Sequence, residues 1–172
     1  MTKLWTNTHF INDAFVTIDA ATPLPDHAGV IVPLARWRAE REALLGHGAA
    51  IGVSVDPAAE LDPATDGLDT LAVITIPFAK FTDGRGYSLA RRLRDEMGFR
   101  GEIRATGDVL LDQLPLMLRC GFDAFTISHE PTLRALEAGL LPAIPEVYQT
   151  AVRGRARTIV AVDAQPMLEA AE

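Results

Sequence analysis

The feature that most constrains this chain is a repeated alternation between short apolar runs, typical of strands, and apolar residues at helical spacing. Apolar runs begin near residues 30, 51, 71, 102 and 122, and helical patterns separate the later runs. The run at 71–76 is short, apolar and rich in β-branched residues, whereas residues 87–97 place apolar side chains on one helical face. Strands that alternate with helices predict right-handed βαβ units. The pattern therefore predicts an α/β protein with a mostly parallel sheet of about five strands.

Two architectures are compatible with these units. The first choice is an open three-layer sandwich, in which helices cover both faces of the sheet. The alternative is a partial TIM-like barrel, because a complete barrel needs about 250 residues and this chain has 172. The length also fits one domain that covers residues 1–172.

The two ends of the chain are predicted to carry less regular structure. Residues 1–28 are expected to hold a small hairpin, formed by residues 10–11 and 15–18, and then a loop. Residues 147–148 are predicted to form a last short strand, and residues 160–172 a frayed tail or a short helix.

Three further helices are predicted from their boundaries. One begins at Pro33, whose missing N–H costs nothing in a first turn, and ends at Gly46. Another covers residues 109–119, although Pro115 must kink it or split it in two. The third covers residues 131–140.

Charge and cysteine content exclude several classes of protein. The formal net charge is -7 and the pI is about 5.1, which argues against a nucleic-acid partner and against anionic membrane surfaces. The single cysteine, Cys120, cannot form an internal disulfide, and this fits a reducing cytoplasm. The first residues lack the apolar core of a signal peptide, and no uncharged apolar run approaches the ~20 residues of a membrane span. We therefore expect a cytoplasmic location, and we predict no metal site.

The loop after the strand at 71–76 has an unusual composition for a connector. It combines cations, a carboxylate, hydroxyls and glycines, and it ends at a helix N-terminus, which attracts anions. Arg85 could clamp an oxyanion with two hydrogen bonds, Lys80 would add a point charge, and the neighbouring glycines would allow close approach. The candidate binding residues are Lys80, Thr82, Asp83, Gly84, Arg85, Gly86 and Ser88.

A scaffold interpretation of the same loop stays open. Asp83-Gly84 is a turn signal in any protein, and Asp83 or Ser88 could cap the following helix. Arg85 could pair with Asp83 or Asp108 as part of the framework. A dinucleotide fingerprint does not fit, because Leu89 stands where the third glycine is needed. The sequence identifies no cofactor.

Asp108 and Tyr87 are the candidate catalytic residues, because both stand where a strand or loop passes into a helix. Asp108 follows a strand and could instead be an N-cap, which is the more common role of such a residue. His129 also follows a strand, but a first-turn surface histidine is the usual outcome. Cys120 is expected to be a buried, inert thiol, because no histidine or second cysteine is near it in the sequence.

A basic segment follows the candidate loop. Arg91, Arg92 and Arg94 are predicted to form a solvated helix face, which is the usual role of such a run. The alternative is that residues 91–104 form a docking surface for an acidic partner protein.

Several longer motifs resemble one bacterial family. The segments KFTDGRGYS (80–88), GDVLLDQ (107–113), RCGFDAF (119–125) and VIVPLARW (30–37) resemble the domain of unknown function numbered 934. Ala79 and Pro115 differ from the proline and the aromatic residue that the family usually has there. Members of this family are labelled as oxidoreductases of sulfite reduction. The resemblance therefore implies a role in assimilatory sulfite reduction, with sulfite reductase as a partner.

Three hypotheses follow for function. In the first, the protein is an enzyme that acts on a small sulfur oxyanion. Lys80 and Arg85 bind the anion, Asp108 or Tyr87 transfers protons, and another protein supplies the cofactor. In the second, it is a non-catalytic accessory subunit that docks on sulfite reductase through residues 91–104. In the third, it senses or carries the anion. The residues alone leave open whether the protein is an enzyme.

Overall fold

The computed structural model describes residues 2–6, 8–25, 28–80 and 82–142, and it confirms an α/β protein. Its strands are β1 (Lys3–Thr6), β2 (Phe10–Ile11), β3 (Phe15–Thr17), β4 (Gly29–Pro33), β5 (Ile51–Ser54), β6 (Val73–Phe78), β7 (Glu102–Gly107) and β8 (Ala124–Ile127). Its helices are α1 (Leu34–Gly46), α2 (Pro63–Asp66), α3 (Arg85–Asp95), α4 (Leu114–Cys120) and α5 (Glu130–Glu137). Short 3-10 turns lie at Leu68–Thr70 and Leu111–Gln113.

The strands form one sheet in the order β2-β1-β8-β7-β6-β5-β4-β3. From β3 to β8 every neighbouring pair is parallel, whereas β1 pairs antiparallel with both β8 and β2. A mostly parallel sheet is therefore confirmed. The strand count of about five is wrong, because the sheet has eight strands; the additional ones are two to four residues long and give a weak hydrophobic signal.

The sheet curls into a half-barrel. β2 ends at Ile11 and β3 begins at Phe15, yet these strands lie at opposite edges of the sheet. Four Cα steps span at most about 14 Å, whereas the edges of a flat sheet of this size lie about 33 Å apart. From β3 to β8, each successive strand is added to the same side of the previous one. Right-handed crossovers then place all the connecting helices on one face of the sheet. The open three-layer sandwich is therefore wrong, and the partial barrel describes the architecture.

The predicted N-terminal hairpin is also wrong in its pairing. β2 pairs antiparallel with β1, where Phe10 lies opposite Trp5. β3 pairs in parallel with β4, where Phe15 lies opposite Gly29. The alternating pattern correctly indicates short strands, but it carries no information about which strand is the partner.

Both faces of the central strands are buried, which explains their continuous apolar sequence. The convex face packs against the helices and supplies the main core, including Val53, Ile74, Ile76, Ile103 and Phe125. The alternate residues face the concavity, and three of them, Ile31, Val73 and Ala124, are almost fully buried. The half-barrel is therefore packed with its own side chains on both sides.

The helix boundaries differ in detail from the predictions. The segment at 109–119 is split: a 3-10 turn precedes α4, and Pro115 lies in the first turn of α4, where a missing N–H is harmless. α3 begins at Arg85, two residues before the predicted start. The predicted strand at 147–148 and tail at 160–172 lie outside the described residues. Within the described part of the chain, no helix is long and apolar enough to cross a membrane.

Candidate functional site

The carboxyl ends of β6 and β7 bring the two candidate segments together. Phe78 at the end of β6 lies opposite Gly107 at the end of β7. The backbone N–H of Asp108 donates to the Phe78 carbonyl at 2.8 Å. Gly107 has a φ of 88°, and a Cβ there would lie 2.4 Å from the Phe78 oxygen, so the close crossing requires glycine. The Lys80–Tyr87 loop and Asp108 therefore follow neighbouring strands at the same edge of the sheet.

The two glycines of the loop have different roles. A Cβ on Gly86 would lie 2.5 Å from the Phe78 ring, so Gly86 allows α3 to pack on the end of β6. Gly84 has an ordinary φ of -69° and open space around its Cα. The ring of Tyr87 meets the Phe78 ring edge-on, with centroids 5.5 Å apart. The helix start is therefore positioned by packing against Phe78.

Arg85 and Asp83 form a two-point ion pair inside the loop. Arg85 Nε donates to Asp83 Oδ1 at 2.9 Å and Nη2 donates to Oδ2 at 2.7 Å, while the Arg85 backbone N–H also donates to Oδ1. The side chain of Arg85 nevertheless remains 63% exposed. Its Nη1 makes no hydrogen bond within the described residues. The pair that the scaffold interpretation predicted is thus present, and it leaves one edge of the guanidinium open.

The electrostatics of this pair follow from its geometry. The Arg85 guanidinium lowers the pKa of Asp83 to about 2, and Asp83 in turn raises the pKa of Arg85. Asp56, which follows β5, also contributes to the raised pKa of Arg85. The three charged groups therefore interact at the same end of the sheet.

The other loop residues are arranged around this pair. The backbone N–H of Asp83 donates to the Lys80 carbonyl at 3.1 Å, which closes a tight turn. Lys80, Thr82 and Ser88 are exposed, and the side chain of Lys80 makes no ion pair with any described residue. Ser88 does not cap α3, whose start has no side-chain cap hydrogen bond.

Burial raises the pKa of both Tyr87 and Cys120. Burial raises the pKa of Tyr87 to about 12, and nearby Cys120 and Asp112 add smaller contributions. Burial also raises the pKa of the Cys120 thiol, and the predicted burial of this residue is confirmed. At neutral pH Tyr87 is therefore a neutral hydroxyl that can donate a hydrogen bond, but it is not a base.

Asp108 does not lie at the N-cap position that its place in the sequence suggests, whereas His129 is the surface histidine that was expected. The helical segment after β7 is capped at Leu110, so the N-cap interpretation of Asp108 is wrong. His129 precedes α5 and lies at the surface, where its Nδ1 is 2.9 Å from the Thr132 hydroxyl. Among the described residues, no group of three or more His, Cys, Asp or Glu side chains gathers as metal ligands.

The predicted basic face of α3 is only partly on the surface. Arg94 points inward, donating to the carbonyls of Phe99, Gly101 and Gly121 and pairing with Asp123. Arg91 and Arg92 are about half exposed and pair with carboxylates one turn further along the helix. The interpretation of all three arginines as a solvated face is therefore wrong for Arg94.

Two ion-pair clusters in which one charged side chain is buried were missed by the sequence analysis. Arg104, 3% exposed, donates to Asp13 and Glu102 at 2.7 Å each. Asp66, equally buried, accepts two hydrogen bonds from Arg38, which lower its pKa. A signal for Arg104 exists in the sequence, because a charge in the middle of an apolar strand must be paired if it is buried.

Comparison with known proteins gives one match. No curated protein and no solved structure matches the chain. The model of a family described as "Bacterial protein of unknown function (DUF934)" matches residues 52–158, which is more than half of the sequence. The matched segment includes β6, β7, α3 and both loops of the candidate site. The chain therefore belongs to the bacterial family of unknown function DUF934.

Proposed function

We propose that this protein binds a small sulfur oxyanion, such as sulfite, at the carboxyl edge of β6 and β7, and that it serves sulfite assimilation in the cytoplasm. The observation that carries the proposal is the exposed guanidinium of Arg85, held in place by Asp83 at the first residue of α3. The choice of sulfur rests on the family resemblance of the loop sequence.

The geometry favours an anion for three reasons. The two-point contact with Asp83 fixes the plane of the guanidinium and leaves Nη1 facing outward as a donor. The N-terminus of α3 adds partial positive charge. Lys80 supplies a second cation in the same loop, and together with Arg85 it balances the carboxylates of Asp83 and Asp56.

The same residues favour binding over proton transfer. Asp83 has a pKa of about 2, and Tyr87 one of about 12, so neither exchanges a proton near neutral pH. The protein would then hold or deliver the anion, and any redox step would use a cofactor supplied by a partner. Sulfite reductase is the partner that the resemblance implies.

The test is a calorimetric titration with sulfite, sulfate and phosphate. Wild type should bind sulfite, and Arg85→Ala should weaken binding about tenfold or more through loss of a charge-assisted contact. Arg85→Lys should recover only part of the affinity, because a point charge replaces the planar fork. Arg92→Ala, which removes an exposed arginine from the same helix, is the matched control and should bind as wild type does.

The result that contradicts the proposal is wild-type protein that binds none of the three anions. The accessory-subunit hypothesis would then be the better one. It would be tested by a pull-down with sulfite reductase, using Arg91→Glu and Arg92→Glu to reverse the two exposed charges of α3.

A further inference from the structure

A second polar position lies on the concave face of the half-barrel, on the inner side of β6 and β7. On β7, Ile103 and Ala105 belong to the core under the helices, so Arg104 between them faces the concavity. Thr75 of β6 lies opposite Arg104 in the parallel register. Both residues are only 3% exposed. Two polar side chains therefore adjoin inside the half-barrel.

Each of these two side chains has one polar group that makes no hydrogen bond to a described residue. Arg104 donates through Nε to Glu102 and through Nη1 to Asp13, while Nη2 donates no hydrogen bond within the described part of the chain. The Thr75 hydroxyl likewise has no hydrogen-bond partner among those residues. No buried side-chain nitrogen or oxygen in the described ranges lacks a partner. The small exposed fraction of each residue therefore lies at its polar tip, where solvent reaches it.

We propose that this position binds a small monoanion, such as a carboxylate, through Arg104 Nη2 and Thr75 Oγ1. Both groups can donate, so together they fit an oxygen acceptor, and the guanidinium makes a charge-assisted bond. Ser54 lies opposite Thr75 on β5 and is half-buried, so it adds a second hydroxyl on the same face. The ring of Phe15 lies 5.8 Å from the Arg104 guanidinium carbon and limits its movement.

The surrounding charge selects a monoanion over a dianion. Asp13 and Glu102 each lie 2.7 Å from Arg104, so two carboxylates surround one guanidinium. The cluster carries one negative charge in excess, so it repels a dianion such as sulfate about twice as strongly as a carboxylate, which gains direct hydrogen bonds from Nη2 and Oγ1. The edge at Arg85 is less negative, because Lys80 and Arg85 together balance Asp83 and Asp56. The two positions should therefore prefer different anions, and the second does not depend on the proposed function.

The test is an NMR titration of isotope-labelled protein with acetate and, separately, with sulfate. Acetate should shift the Arg104 Nε–H resonance and the backbone amides of Thr75 and Arg104. Thr75→Val removes the hydroxyl while keeping the shape, and it should weaken acetate binding about tenfold or more. Thr126→Val removes a hydroxyl from the same face of β8 and serves as the matched control, with wild-type affinity expected.

Two results would overturn the proposal. If acetate leaves the Arg104 and Thr75 resonances unmoved, water alone occupies the position. If Thr75→Val and Thr126→Val weaken binding equally, acetate binds elsewhere. If Thr75→Val does not fold, Ser54→Ala takes its place in the comparison with Thr126→Val. Arg85→Ala separates the two sites, because it should abolish the sulfate response and leave the acetate response unchanged.

Discussion

Two arginine–carboxylate clusters in this molecule have similar hydrogen-bond distances and opposite settings. Arg85 pairs with Asp83 two residues away, within one loop, and its side chain is 63% exposed. Arg104 pairs with Asp13 across 91 residues of sequence and is 3% exposed. Solvent screens the first pair, so it contributes little to the fold. The second pair joins the segment between β2 and β3 to the centre of the sheet.

The difference indicates what each arginine is for. A buried guanidinium that loses its partners is costly, so Arg104 and its carboxylates are coupled to the closure of the half-barrel. An exposed arginine can exchange one acceptor for another at low cost, so Arg85 is available to a ligand. Similar chemistry therefore holds the fold together through Nε and Nη1 of Arg104, which leaves only Nη2 for the proposed monoanion, whereas the Arg85 guanidinium as a whole is accessible.

The largest expected change in stability comes from substitution of Arg104. Arg104→Met removes the cation between Asp13 and Glu102, whose side chains are 37% and 28% exposed and are therefore partly solvated, so it should lower the free energy of unfolding by about 2 kcal/mol. Urea denaturation measures this loss. The matched control is Arg92→Met on the surface of α3, which should change stability by less than about 0.5 kcal/mol. Equal stability of both variants would show that the buried cluster does not hold the sheet closed.

The next effect concerns the two glycines of the candidate loop. Gly86→Ala places a methyl group 2.5 Å from the Phe78 ring and should cost about 1–3 kcal/mol through overpacking. Gly84→Ala meets open space at an ordinary φ and should change stability by less than about 0.5 kcal/mol. Thermal unfolding of the two variants checks both values. A costly Gly84→Ala would mean that the loop is packed more tightly than its geometry indicates.

A smaller effect is expected from Tyr87 at high pH. Its pKa in the folded protein is about 12, above the ordinary value of about 10. The folded state therefore holds this proton more tightly, so stability is full below pH ~10 and decreases as pH rises toward ~12. Ultraviolet titration of a Tyr148→Phe variant isolates the transition. Ionisation of Tyr87 near its ordinary value would mean that its hydroxyl is solvated.

The elements of the fold are largely predictable from the sequence, but their arrangement is not. The apolar runs around Val53, Ile74 and Ile103 mark strands because both faces of the sheet are buried. The same runs are compatible with an open sheet or a curled one. The curvature follows from the short connection between Ile11 and Phe15, which belong to strands at opposite edges of the sheet. The local sequence pattern also does not indicate that β3 pairs with β4 rather than with β2.

The candidate site shows the same division. The residue types from Lys80 to Ser88 indicate a loop at a helix start, and the parallel register brings it to Asp108 as expected. The contribution of Gly86 depends on the Phe78 ring beneath it, which local sequence does not specify. Arg94 looks like a surface charge in the sequence, yet it is directed inward by Asp123, which lies far away along the chain.

The most direct test of this comparison is the melting temperature of wild type and Arg85→Ala over a series of sulfite concentrations. A ligand that binds only the folded state stabilises it by RT ln(1 + c/Kd), where c is the free ligand concentration, so the melting temperature rises with that concentration. We expect both proteins to melt at the same temperature without sulfite, and only wild type to gain stability as sulfite is added. Arg85→Ala that melts lower in the absence of sulfite, or that gains as much as wild type in its presence, would contradict the assignment of Arg85 to ligand binding.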